Sequence, residues 1–237
     1  MIAVVTAAGR EPGGGGLGAA TCAALCERGY AVIGWDEDAA ALERTAATVP
    51  LSGTAVVDRA DVEAIEQGFA GFDEVPNLVV NNLHGLLGSR RSAPFAELAA
   101  SELEEEVAAT LVGASVVCLA AVTRMKAVGR GAIVNVTSAL APYPAPLRLV
   151  EAAAAAAIES LTASLGAELG SSGIRVNAAA PAAERSSATA TATTEAELAT
   201  LIALLGSAET AAMNGTVVRA DPGFDPFPGL PAAASRE

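Results

Sequence analysis

The sequence predicts an α/β protein built as a doubly wound parallel sheet in three α/β/α layers. It reads as one domain over residues 1–237, with a C-terminal tail at 224–237. Three observations predict this. Short, unbroken apolar runs recur along the chain, as strands buried on both faces require. Segments of helical length separate them, the alternation that builds crossover units on a parallel sheet. A hydrophobic content of 52% over 237 residues is enough to bury a substantial core.

Taken in order, Ile2-Ala3-Val4-Val5-Thr6 is a continuous apolar strand, and a glycine-rich loop leads from it into a helix over 17–28. A second strand over 31–35 closes on Asp36, and a short helix over 39–47 precedes a third strand at 54–57. A helix over 62–69 leads to a strand at 78–81, and a long helix over 102–125 to a strand at 132–136. A second long helix over 150–169 precedes a strand at 175–179, and a last helix over 195–205 precedes a strand at 216–219. The Ala/Thr/Ser-rich stretch 186–194 reads as a surface loop.

Composition excludes several function classes. A net charge of −13, with Lys126 the sole lysine, leaves too few cations to neutralise nucleic-acid phosphates or an anionic membrane surface. No apolar run approaches the roughly 20 residues that cross a bilayer. The N-terminus enters a strand directly, without the basic region of a signal peptide. Cys22, Cys26 and Cys118 have apolar neighbours and read as buried free thiols in a reducing compartment, the cytoplasm. One histidine is too few for a His/Cys metal cluster, so no metal is expected.

The first chemical signal is the loop from Thr6 through Gly9 and Gly13-Gly14-Gly15-Gly16 to Gly18, between a strand and a helix. Glycines there let backbone approach a pyrophosphate, and the helix N-terminus supplies partial positive charge. Asp36 at the end of the second strand suits a ribose 2′-hydroxyl and repels a 2′-phosphate. Glu37 and Asp38 reinforce that choice, so a bound dinucleotide would be NAD rather than NADP. The bland alternative is a glycine loop with no ligand.

The second signal is an absence. Six alanines run from Ala152 to Ala157 on the helix between the strand ending in Thr137-Ser138 and the strand Ile174-Arg175-Val176-Asn177-Ala178. An enzyme on this frame needs an acid and a cation there, and alanine is neither.

These pieces together resemble the short-chain dehydrogenase/reductase family, with its Rossmann-like fold, over essentially the whole chain. The matching residues are the glycine loop; Asp36; Asp58, where the family contacts adenine; and Leu78-Val79-Val80-Asn81-Asn82. Further matches are 131–138, Leu161-Thr162, 173–177 with Pro181, and the closing segment 214–223. The resemblance implies a nucleotide site at Thr6, Gly9, Gly16, Gly18, Asp36, Asp58, Asn81 and Pro181. It also implies oligomerisation through the two long helices, about 102–125 and 150–169.

The departures fall on the chemistry. The family's catalytic tyrosine stands thirteen residues after the serine and its lysine four further; from Ser138 these positions are Glu151 and Ala155. The family's active-site asparagine falls on Thr110. Twelve residues separate Thr6 from Gly18, against the family's usual seven, and the segment that would cover substrate is only about twelve residues before Glu195. Possible substitutes are His84, which titrates near neutrality; Tyr143, in Pro142-Tyr143-Pro144; and Glu151 itself, paired with Arg148. Halohydrin dehalogenases, similar in fold, use Ser, Tyr and Arg, and this chain lacks their Tyr and Arg at the same two positions. The expectation is a non-catalytic subunit pairing with an active paralogue in a mixed oligomer. The alternative is an unconventional NAD-dependent oxidoreductase acting on a carbonyl or alcohol without the Tyr-Lys pair.

Overall fold

A computed structural model of the chain describes residues 1–9, 16–82, 93–142, 144, 146–181 and 194–220. Its strands are β1 (Ile2–Thr6), β2 (Ala31–Asp36), β3 (Gly53–Val56), β4 (Leu78–Asn81), β5 (Gly131–Val136), β6 (Ile174–Pro181) and β7 (Val217–Ala220). They form one parallel sheet in the order β3-β2-β1-β4-β5-β6-β7. The helices are α1 (Leu17–Glu27), α2 (Ala39–Ala46), α3 (Val62–Ala70), α4 (Ala100–Val107), α5 (Gly113–Val128), α6 (Leu149–Leu169) and α7 (Glu195–Gly206). The winding reverses between β1 and β4, so the crevice beyond their carboxyl ends is where a ligand is expected.

Both faces of the sheet are buried, which explains why the strands read as continuous apolar runs. Val5, Leu78, Val80 and Val134 face α1 and α7 with Leu25, Ile202 and Leu205. Val4, Val79, Ile133 and Ile174 face α3 and α5 with Trp35, Phe69, Val117 and Met125. Between the layers run polar ties. The Arg175 guanidinium of β6 donates to the Leu205 and Ser207 carbonyls at 3.0 and 2.8 Å, capping the C-terminus of α7 with a cation. Asn214 donates to the Gly166 carbonyl at 2.8 Å and accepts from Val176 N–H at 2.9 Å, pinning α6 to β6.

Two expectations are corrected. The helix over 102–125 is not continuous: α4 and α5 are separated by a π turn, Ala108–Val112. Thr110 in that turn donates its hydroxyl back to the Glu106 carbonyl, a bond that competes with the helical ladder. At Gly113 a Cβ would stand 2.3 Å from the Arg59 carbonyl oxygen, so close approach holds the bend. By length and mean hydropathy, moreover, two helical stretches are apolar enough to cross a bilayer, Ala100–Val128 and Leu149–Ser172, although neither is an uninterrupted apolar run. Inside the protein 44% and 33% of their most apolar windows are buried. The remainder leaves Leu119 at 63% exposure and Val107 and Val112 at 45% each.

Candidate functional site

The crevice has two halves. Beyond β1, β2 and β4 lies the nucleotide half, which opens with backbone geometry. The last glycine of the loop, Gly18, packs so tightly that a Cβ would stand 1.8 Å from the Ala7 carbonyl oxygen. Thr6, almost fully buried, accepts from Asn82 N–H at 2.9 Å and ties β1 to the end of β4. Asp36 spends both carboxylate oxygens on backbone: Oδ2 accepts from Gly9 N–H at 2.9 Å and Oδ1 from Asp38 N–H at 3.0 Å. Asp58, exposed, accepts from Ala60 N–H at 2.8 Å. Next to it the Arg59 guanidinium reaches the Asn82 carbonyl at 3.0 Å. Burial pulls its pKa down, against Glu37, Asp36 and Asp58, which hold it up.

At the N-terminus of α1 the Gly16 N–H donates to Glu195, standing 3.0 Å from each carboxylate oxygen. This is the seat a pyrophosphate takes in a dinucleotide fold. Among the described residues, a side-chain anion thus already holds the donor at the phosphate position, and a dinucleotide phosphate does not fit there as they stand, while Asp36 keeps acceptor capacity for a ribose beyond its two backbone bonds.

The second half lies beyond β5 and β6, where proton chemistry would be done. Ser138 follows β5, and its hydroxyl donates to Glu151 Oε1 at 3.2 Å while accepting from Leu140 N–H at 3.2 Å. Glu151 Oε2 is ion-paired with Arg148. The sequence spacing thus brings Ser138, Glu151 and Arg148 into one cluster on the first turn of α6. An ion-paired carboxylate accepts hydrogen bonds and donates none. Leu147, just before Arg148, sits in the left-handed region at φ +67°, a conformation that costs a non-glycine residue on the order of 1 kcal/mol. An apolar groove of about 600 Å³ opens alongside, lined by Phe95, Pro144, Leu147, Leu149 and Ala152 among others.

One turn further along α6, Ala155 is fully buried in an apolar cluster with Ala114, Ala154 and Ile158. Its carbonyl accepts the Thr137 hydroxyl at 3.1 Å. No ammonium stands there, and the surroundings hold none. Thr110, which the sequence resemblance sets against the family's asparagine, is buried with its hydroxyl turned to the Glu106 carbonyl. Beneath the site runs a buried polar network. Asn81 donates to the Ala114 carbonyl at 3.1 Å and to Asn135 Oδ1 at 3.2 Å, and Asn135 donates to Thr162 at 2.9 Å. Asn81 is thus part of the sheet's internal wiring. Pro181 ends β6 beside Ala220 of β7.

His84 and Tyr143, considered as substitute acids, lie outside the described residues, as do loop residues 10–15. Among the described residues no group of His, Cys, Asp and Glu is arranged to hold a metal ion. Cys22 and Cys118 are buried and Cys26 half-buried, all as free thiols. Burial pushes the Cys118 thiol up to about 12 and raises the other two. The residue that sequence reasoning missed is Glu195. In the sequence it reads only as the start of a helix, 179 positions from Gly16.

Comparison with known proteins agrees with this fold. The family model described as short chain dehydrogenase matches residues 1–197, and the chain belongs to that family. It is 35% identical over 187 residues to cis-4-hydroxycyclohexanecarboxylate dehydrogenase of Sinomonas cyclohexanicum, covering 76% of this chain and 72% of that one. It is 31% identical over 150 residues to inactive 2-(S)-hydroxypropyl-CoM dehydrogenase 2 of Xanthobacter autotrophicus, covering 62% and 64%. The fold superposes on the crystal structure of a short chain dehydrogenase from Mycobacterium smegmatis with a TM-score of 0.83 and 26% identity, over 94% of this chain and 92% of that one.

Proposed function

We propose that this chain is a non-catalytic short-chain dehydrogenase subunit, assembling with an active paralogue into a mixed oligomer through its two long helices. The observation that carries this reading is the first half of α6. Glu151 stands at the tyrosine position as an ion-paired acceptor, and Ala155 stands at the lysine position inside an apolar cluster. Hydride addition to a carbonyl needs a positioned proton donor, and this helix presents none. A similar chain that bears the name inactive lends support to this reading.

The interface half of the proposal is supported by the exposed apolar face of α4 and α5. Leu119, Val112 and Val107 lie on the long-helix surface that the family resemblance marks for association. Apolar side chains left uncovered on a helix mark a protein contact when they lie together. The reading includes a cytoplasmic location, supported by the unpaired thiols of Cys22, Cys26 and Cys118, and no nucleic-acid or membrane partner, supported by the net charge of −13.

One observation favours a second reading, an NAD-dependent oxidoreductase of unusual mechanism. Ser138 is in place and already hydrogen-bonded to a carboxylate, so Glu151 would accept the proton of an alcohol through Ser138. The acidic run Asp36-Glu37-Asp38 would then select NAD over NADP. Dehalogenase-like chemistry gains nothing from the geometry, because Glu151 and Ala155 replace its Tyr and Arg as well.

The test is co-expression with a family paralogue whose Tyr and Lys are intact, with an affinity tag on one chain only, followed by native mass spectrometry. A stable mixed oligomer is expected, with turnover assigned to the paralogue. A homo-oligomer that turns over NAD(H) by itself would overturn the proposal.

A further inference from the structure

The phosphate seat of a dinucleotide fold normally presents a free backbone N–H at the start of its first helix, where the helix dipole and the unsatisfied donor together attract an anion. Here that donor is not free. Gly16 N–H sits 3.0 Å from both Oε1 and Oε2 of Glu195, so the carboxylate straddles the donor much as two phosphate oxygens would. Gly16 itself sits at φ +129°, a conformation few side chains adopt.

The placement of Glu195 is built into the fold. It is the first residue of α7, and Thr194 and Glu197 form a capping box that fixes where that helix begins. Glu197 is thereby occupied with Thr194, leaving Glu195 to reach across. Helix α7 packs along α1 in a shared apolar core through Leu198, Ile202 and Leu205 against Leu17, Cys22 and Leu25, so the two N-termini stay side by side. The Asp36 carboxylate at the end of β2 accepts the Gly9 and Asp38 N–H groups, one on each oxygen, and keeps acceptor capacity beyond them, so the block falls at the phosphate end alone.

We propose that Glu195 is a resident anion occupying the pyrophosphate seat at the N-terminus of α1, so that a dinucleotide binds only by displacing it. A phosphate brought to Gly16 would meet a like charge at hydrogen-bonding distance in addition to losing the donor. The inference stands on this contact and does not depend on the proposed loss of catalysis.

Isothermal titration of the full chain, with NADH and separately with inorganic pyrophosphate, tests it. E195A should bind both probes about two- to fivefold more tightly than the native protein, the scale of an exposed anion's interaction with a helix terminus. E195Q, which keeps the side-chain shape and removes the charge, should move in the same direction and serves if E195A folds poorly. E168A removes an equal charge from an exposed pair with Lys126 and should change neither affinity. Equal affinity in native protein and both Glu195 variants, whether tight, weak or undetectable, overturns the proposal. So does an equal gain from E168A, which would assign the effect to net charge. Turnover by the native protein would refute the non-catalytic reading while leaving the affinity ratio to stand or fall by itself.

Discussion

The two halves of α6 share one helix and have opposite fates. Its second half is wired into the fold: Thr162 receives Asn135, Gly166 packs on Gly215 with its carbonyl bonded to Asn214, and Leu169 closes the core below Ile174. Its first half carries the Ser138–Glu151–Arg148 cluster and the alanine run. On the proposed non-catalytic reading, the helix keeps all of its structural work while giving up its chemistry, because different turns carry the two. Alanine suits that outcome, being the best helix former and bringing no functional group.

That contrast can be broken by mutation. The largest effect is expected from Ala155→Lys, which puts an ammonium into a fully buried apolar cluster, one turn from a Glu151 carboxylate already paired with Arg148. A loss of about 4 kcal/mol, or on the order of 10 °C in midpoint, should appear in thermal unfolding. If the variant were as stable as the native protein, the position would not be sealed. Asn135→Ala comes next. It strips partners from buried Asn81 and Thr162, and urea unfolding should show a loss of about 3 kcal/mol. At the crevice end, Glu151→Gln keeps an acceptor for Ser138 and weakens only a partly solvated ion pair, so the same measurement should register about 1 kcal/mol or less. Equal costs for Asn135→Ala and Glu151→Gln would erase the distinction between a wired frame and a replaceable surface.

Much of the fold was legible in the sequence. Each strand falls within a residue or two of its apolar run, since a parallel sheet covered on both faces leaves no polar alternation to confuse the reading. The break at Thr110 was not legible, because it depends on Gly113 meeting the Arg59 carbonyl across a gap in the chain. At the site, counting from Ser138 was enough to place Glu151 opposite it, and the spacing of Arg148 from Glu151 gave the ion pair. Glu195 escaped, since an acid at the start of a helix is ordinary and nothing local says which N-terminus it will meet. Contacts set by register along one element can be counted; contacts between elements distant in sequence have to be seen.

The central claim is that α6 presents no proton donor to a bound carbonyl. Initial rates of NADH oxidation with cyclic and open-chain ketones, measured on the native protein beside Glu151→Gln, test it most directly. The account predicts no rate above the enzyme-free blank for either protein. A substrate-dependent rate in the native protein that disappears in Glu151→Gln would contradict it.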